Sequence, residues 1–211
     1  METIESLAQA GADDQVSGKK KAVLKAALRL FLEQGYGATS MDAIAREAGV
    51  SKATLYAHLK NKEELFEAIT TSCARLNATL HPVFEAGHQD IRAELLSFAR
   101  DHVALLLSPE GAAMYRIVIA EAPRFPELGR AFFENGPAIR HGAMVDYLKI
   151  ADERGLLKVD DARRAASEFF GMIGGMLHLR AMLGQGHKID AAEQAAAVEH
   201  AVDAFLRAYR T

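Results

Sequence analysis

The 211-residue chain has one cysteine, Cys73, no tryptophan and only five prolines. A single thiol excludes an intramolecular disulfide framework and fits a reducing cytoplasm, so a cytoplasmic location is expected. A lone cysteine on a helix reads as a small packed residue. The N-terminus is acidic and lacks an apolar core, which speaks against a signal peptide. No apolar run reaches the roughly 18 uninterrupted residues of a membrane span, so no membrane partner is expected. Absent tryptophan and scarce proline are consistent with an all-helical chain. Catalytic constellations are missing as well. Without a nucleophile elbow, a phosphate loop or a conspicuous carboxylate pair there is no catalytic residue to name and no enzyme to expect. His81, His102, His141 and His178 lack ligand spacing such as HExxH or paired cysteines, so neither a metal nor another cofactor is expected.

What is present points elsewhere. Half of the residues (50%) are hydrophobic, enough in a chain of this length for one small and one medium domain. The net charge of -3 conceals an asymmetry. Residues 19–62 hold nine Lys or Arg against three acids, a net of +6, whereas residues 1–18 carry -4 and residues 63–211 carry -5. Positive charge concentrated in one short segment is the electrostatic footprint of a nucleic-acid binder.

Inside that segment, residues 39–65 read as two short helices hinged at a glycine, followed by the start of a third. Ile44, Ala45 and Ala48 have helical spacing, and Thr39 or Ser40 can cap that helix. Thr39 and Asp42 have the spacing of a capping box. Gly49 supplies the positive φ that ends the helix and reverses the chain. Ser51 is a good N-cap for a second helix from Lys52 to about His58, on which Leu55 and Leu59 face inward. Lys52, Ala53, Thr54, Tyr56 and His58 are left outward or sideways, which suits a recognition helix better than a core helix. Asn61 and Glu64 form a second capping box. Lys62 puts a cation where the helix dipole is already positive, a cost in stability that a phosphate-binding end would explain. Upstream, Val23, Leu24, Ala27, Leu28 and Phe31 form the apolar stripe of a helix from about Lys19 to Gln34. The three helices amount to roughly 45 residues, the size of a homeodomain-like module.

The stretches LKAALRLFLEQGYGATSM and IAREAGVSKATLYAHLKNKEEL resemble the N-terminal domain of the TetR family of bacterial transcriptional regulators, most specifically from Thr54 to Leu65. Residues 114–137, MYRIVIAEAPRFPELGRAFFENGP, look like the effector-binding domains of AcrR- and AefR-type members. The resemblance implies that Thr39, Ser40, Tyr56, His58 and Lys62 contact phosphates. It implies that Ser51, Lys52, Ala53 and Thr54 face base edges of a double-stranded operator. The chain departs from the commonest family pattern at Ala57 and Leu59, where larger aromatics are frequent.

Apolar periodicity and Pro/Gly punctuation predict further helices over about 62–80, 91–107, 109–122, 126–134, 137–154, 160–183 and 190–210. The expected fold class is therefore all-α, with about nine to ten helices. A disordered acidic arm is expected over 1–18, a helix-turn-helix DNA-binding domain over 19–65, and a ligand-binding and dimerisation domain over 66–211. Gly171, Gly174 and Gly175 should each weaken their helix by roughly 1 kcal/mol unless they allow close approach of another helix. The apolar faces carrying Phe169, Ile173, Leu177, Val198, Val202, Phe205 and Tyr209 are expected to form a homodimer interface. Met and Phe content, together with the resemblance, places a small apolar or aromatic effector against Met114, Phe125, Phe133, Met144, Tyr147, Phe170 and Met176. The expected function is a ligand-responsive repressor released from its operator by that effector. The alternative is an architectural DNA-binding protein without an effector.

Overall fold

Helix boundaries follow local chemistry closely. The structure, a computed structural model, describes residues 18–80 and 90–210, with the side chains of 72–80 left aside. The acidic arm, His81 and the Cys73 side chain lie outside the described residues. No strand occurs among those described. In chain order the helices are α1 (Gly18–Gln34), α2 (Met41–Glu47), α3 (Lys52–His58), α4 (Lys62–Leu80) and α5 (Ile91–Leu107). They continue with α6 (Pro109–Glu121), α7 (Pro126–Asn135), α8 (Pro137–Glu153), α9 (Ala162–Met182) and α10 (Ala191–Tyr209). Proline opens three of them, where its missing N–H is no loss.

Residues divide into two compact units. Among the described residues, the first contains 18–80 and 113–138. Its core is built from the α1 stripe with Tyr36, Ile44, Leu55, Leu65, Phe66 and Ile69. Phe31, Tyr36 and Phe66 meet in tilted or edge-on ring contacts at centroid separations of 5.2 to 6.2 Å. Val118 of α6 and Leu128 of α7 complete this core, and α7 packs along α4. The packing unit is thus wider than the 19–65 segment that the motif marks out. A three-helix module of that size leaves an apolar back, which α4 and residues 113–138 cover.

Among the described residues, the second unit contains 90–112 and 139–210. There α5, α9 and α10 pack on one another, around Phe98, Phe169 and Phe205. Three of its helices start on an aspartate N-cap: Asp90, Asp161 and Asp190. Each such cap is worth about 1 kcal/mol over alanine.

This core corrects the expected dimer face. Phe169, Ile173, Leu177, Val198, Val202 and Phe205 are buried inside the chain's own second unit. Tyr209 is partly buried beside them, its hydroxyl bonded to Glu168. Both helices have a second face, and the residues chosen from periodicity belong to the inner one. The outer face of α9 exposes Gly171, Met172, Gly175, Met176, Leu179 and Leu183. Gly174 is buried, and a Cβ there would lie 3.6 Å from Leu106, whereas Gly171 and Gly175 face open space. Gly175 also breaks the helix, at φ 28° and ψ -127°, a left-handed φ open to glycine.

Candidate nucleic-acid interface

The helix pair α2–α3 is assembled by its caps. Ser40 is the N-cap of α2, its Oγ accepting from the Ala43 N–H at 3.1 Å. At the other end Gly49 sits at φ 67° and the Val50 N–H bonds back to the Ala45 carbonyl at 3.0 Å. This is the six-to-one closure of a glycine-terminated helix. Ser51 then caps α3 by accepting from the Thr54 N–H at 3.1 Å, and the Ser51 and Thr54 hydroxyls bond each other at 2.8 Å. Leu55 and Leu59 anchor α3 to the core. The side chains between and after them stay outside. Ser51, Lys52, Ala53 and His58 are exposed, Thr54 is half-buried, and Tyr56 is 47% exposed. An exposed phenol on a short basic helix can bond a phosphate or stack at its sugar edge.

Asn61 caps α4 through the Glu64 N–H at 2.8 Å. The Glu64 carboxylate closes on the Lys60 N–H at 2.9 Å, one residue before the expected partner.

Two expected phosphate contacts are turned inward. Thr39 is only 2% exposed, and its hydroxyl donates to the carbonyls of Gly35 at 2.8 Å and Leu30 at 3.3 Å. It therefore closes the end of α1, leaving the capping of α2 to Ser40 alone. Lys62 is half-buried. Its ammonium donates to the carbonyls of Tyr36 at 2.8 Å and Gly37 at 3.3 Å, and lies 4.7 Å from the Tyr36 ring centroid. Burial lowers its pKa, against the pull of Glu63 and Glu121. The positive charge at the first turn of α4 is thus used to hold the turn after α1. Burial, followed by the fields of Glu63, Glu127 and Glu121, pushes the Tyr36 phenol well above its usual pKa.

Sequence reasoning missed four side chains around this helix pair. Lys19 and Lys20 line a small crevice together with Thr54, Leu55, His58 and Leu59, which puts the start of α1 beside the recognition helix. The lysine run ahead of the apolar stripe was the available signal. Asp42 holds the Lys52 ammonium at 2.5 Å. Glu121 accepts from the Gly37 N–H at 3.1 Å, across 84 residues, and no local pattern announces it.

The expected effector residues are distributed over both units. Met114 and Phe125 pack partly buried in the first core, while Met144 and Tyr147 are buried in the second. Phe133 is 60% and Met176 68% exposed, so neither lines an enclosed pocket within its unit. Phe170 belongs to a polar aromatic cluster in the second unit. His102 meets its ring edge-on at 4.8 Å, and the buried Arg140 donates to His102 Nδ1 at 3.1 Å. His141 bonds Ser167 at 2.9 Å on the same side. A surface groove of about 450 Å³ in this unit is lined by charged residues, among them Lys149, Asp152, Asp161 and Arg163. None of the seven expected residues lines it. No single helix among the described residues is long and apolar enough to cross a membrane.

Comparison with known proteins bears on the whole chain. Residues 23–69 match the profile of bacterial regulatory proteins of the tetR family. Residues 93–211 match the C-terminal domain of AefR-like transcriptional repressors. A TetR-family regulator from Mesorhizobium loti, solved by crystallography, is 32% identical with a TM-score of 0.83, over 92% of this chain and 97% of that one. The flavonoid-responsive regulator FrrA is 36% identical with a TM-score of 0.77, over 91% and 97%. The regulator BetI of Rhizobium meliloti is 30% identical over 201 residues, 90% of each chain. With its capped helix-turn-helix and both family domains in order, the chain belongs to the tetR family of bacterial regulatory proteins, which are DNA-binding transcriptional regulators rather than enzymes.

Proposed function

We propose that this regulator is a ligand-responsive repressor that acts as a cytoplasmic homodimer and leaves its operator when a small aromatic effector binds. The observation that carries the DNA half is the exposed set Lys52, Ala53, Tyr56 and His58 on a helix anchored by Leu55 and Leu59. Recognition helices of this length enter the major groove, and base-edge contacts from their first turns supply specificity. Ser51, Lys52, Ala53 and Thr54 read bases; Ser40, Tyr56 and His58, joined by Lys19 and Lys20, hold phosphates.

Dimerisation is assigned to the outer face of α9, where Met172, Met176 and Leu179, with Leu183 at its C-cap, are exposed beside the open glycines 171 and 175. A second copy of that face covers the apolar stripe and allows close backbone approach. The two-fold axis then pairs two recognition helices on half-sites about one helical turn, ~10 bp, or a near multiple apart.

The effector half is supported by the similarity to the flavonoid-responsive FrrA and by the cluster around Phe170, His102 and Arg140, which offers ring faces and polar atoms suited to a phenolic compound. An effector that prefers the DNA-free conformation ~100-fold shifts the equilibrium by at most ~2.7 kcal/mol, enough to induce if the states are nearly balanced.

The test begins with selection of binding sites from genomic and random DNA, followed by a flavonoid and simple-phenol screen against the recovered complex. Pseudo-palindromic sites and at least one releasing compound are expected. Sequence-independent binding that no compound relieves would replace this reading with the architectural one.

A further inference from the structure

We propose that Glu121 is a positioning residue for DNA binding. From the last turn of α6 its carboxylate fixes the turn between α1 and α2, so that Ser40 and the start of α2 meet the phosphates already in place. The inference rests on the assignment of Ser40 to a phosphate made above.

Three side chains from different parts of the sequence hold this turn. Gly37 donates its N–H to Glu121 Oε1 at 3.1 Å. The carbonyl of the same residue, with that of Tyr36, accepts from the Lys62 ammonium at 3.3 and 2.8 Å. Thr39 bonds the Gly35 carbonyl at 2.8 Å, next to Ser40 in the chain. Glu121 is itself anchored. Val118, three residues earlier on α6, is buried in the first core, and Phe125 just beyond meets the Tyr36 ring edge-on at 5.2 Å. All of these residues belong to the first unit.

Gly37 is matched to that carboxylate. Its φ is not positive, so the backbone does not demand glycine there as it does at Gly35, with φ 84°. A Cβ on Gly37 would, however, stand 3.2 and 3.3 Å from the two Glu121 oxygens. The side chain is missing where the carboxylate comes close. By charge alone, an acid that touches the turn before a phosphate-facing helix disfavours DNA. A contact that gives the turn its shape accounts for its presence. A turn ordered beforehand spares the backbone entropy that a loose one loses on binding.

Glu121→Ala removes the contact, whereas Glu121→Gln keeps an acceptor without the charge. Affinity for a random-sequence duplex is measured over a range of salt, at a temperature where circular dichroism shows each variant folded. Glu121→Ala should bind about 5-fold more weakly, the equivalent of ordering one residue's backbone only on binding. Its salt slope should equal the parent's, because no cation is gained or lost. Glu121→Gln should stay within about 2-fold of the parent. Gly37→Ala presses on the carboxylate from the other side and should weaken binding about 3-fold. In the Glu121→Ala background, where those oxygens are gone, it should weaken binding no further. Glu121→Ser, whose hydroxyl stops short of Gly37, replaces the alanine variant if that does not fold.

Tighter binding with a steeper slope in both Glu121 variants would mark a plain repulsive charge and overturn the proposal. So would a Glu121→Ala protein that binds like the parent, a glutamine variant no better than the alanine one, or a Gly37→Ala loss that is equal in both backgrounds. Ser40→Asp tests the phosphate assignment separately. Aspartate caps a helix as well as serine does, but sets a carboxylate against the phosphate, and binding should fall about 10-fold or more. If Ser40→Asp binds like the parent, the phosphate assignment fails and the proposal with it. If Ser40→Asp loses binding while Glu121→Ala does not, the assignment stands and only the proposal falls.

Discussion

Thr39 offers a clean test of whether the residues preceding α2 serve the fold or the DNA. Its hydroxyl is buried and donates to two carbonyls at the end of α1, those of Gly35 at 2.8 Å and Leu30 at 3.3 Å. Thr39→Val is nearly isosteric and removes only the donor. A typical hydrogen bond contributes about 1 kcal/mol, and leaving a buried acceptor unpaired adds about 1 kcal/mol or more. The second bond, at 3.3 Å, is the weaker, and the added methyl regains part of the loss through apolar burial. A net destabilisation of about 1–2 kcal/mol is expected. Urea unfolding followed by far-UV circular dichroism measures it, a suitable probe because the chain has no tryptophan. Under conditions where the variant is folded, the salt slope of DNA binding should equal that of the parent protein. A variant as stable as the parent but with weakened, salt-dependent DNA binding would refute the inward assignment and restore Thr39 as a DNA contact.

Met176→Glu and Leu179→Glu should give folded monomers by analytical sedimentation, whereas Ile173→Asp and Phe205→Asp place a charge in the core and should unfold the second unit; dimers that survive both α9 substitutions would exclude that face. Lys19→Ala with Lys20→Ala should reduce the DNA salt slope by about 0.9 per lysine without altering base preference, and a changed preference in a randomised library would contradict a phosphate role. Stability should fall above pH 10. Burial raises the pKa of Tyr36 and Tyr147, with Glu94 adding to the effect at Tyr147, so the unfolded chain ionises from the ordinary phenol value of 10.0 while the folded one does not. Each tyrosine then removes up to about 1.4 kcal/mol per pH unit until its folded pKa is reached. Lys62 has the opposite sign, its lowered pKa favouring the fold only as pH climbs towards 10.5. Unfolding titrations of Tyr36→Phe and Tyr147→Phe should show a shallower alkaline loss, and an unaltered one would disprove the assignment.

Local chemistry alone determined the helices of this protein and the helix-turn-helix. Apolar spacing, Ser51, Gly49 and the Asp and Pro start signals act within a few residues of themselves, so the boundaries of α5 and α4 could be read without a fold. Which side chains of α3 stay exposed was legible for the same reason, since Leu55 and Leu59 dictate which side of so short a helix faces inward.

Tertiary structure decided how each amphipathic surface was used. Periodicity identifies an apolar face but not its partner, which is why Phe169, Ile173 and Phe205 pointed to a dimer and belong instead to the core of the second unit. It also leaves open what a polar side chain bonds when its partner is far away in sequence. Thr39 and Lys62 have the residue types of phosphate ligands, yet their hydrogens are taken by the carbonyls that end α1 and by the turn after it. Glu121 reaches that turn from 84 residues away, and Asp42 reaches Lys52 from another helix. Such pairings depend on three-dimensional proximity, and a one-dimensional pattern carries no record of it.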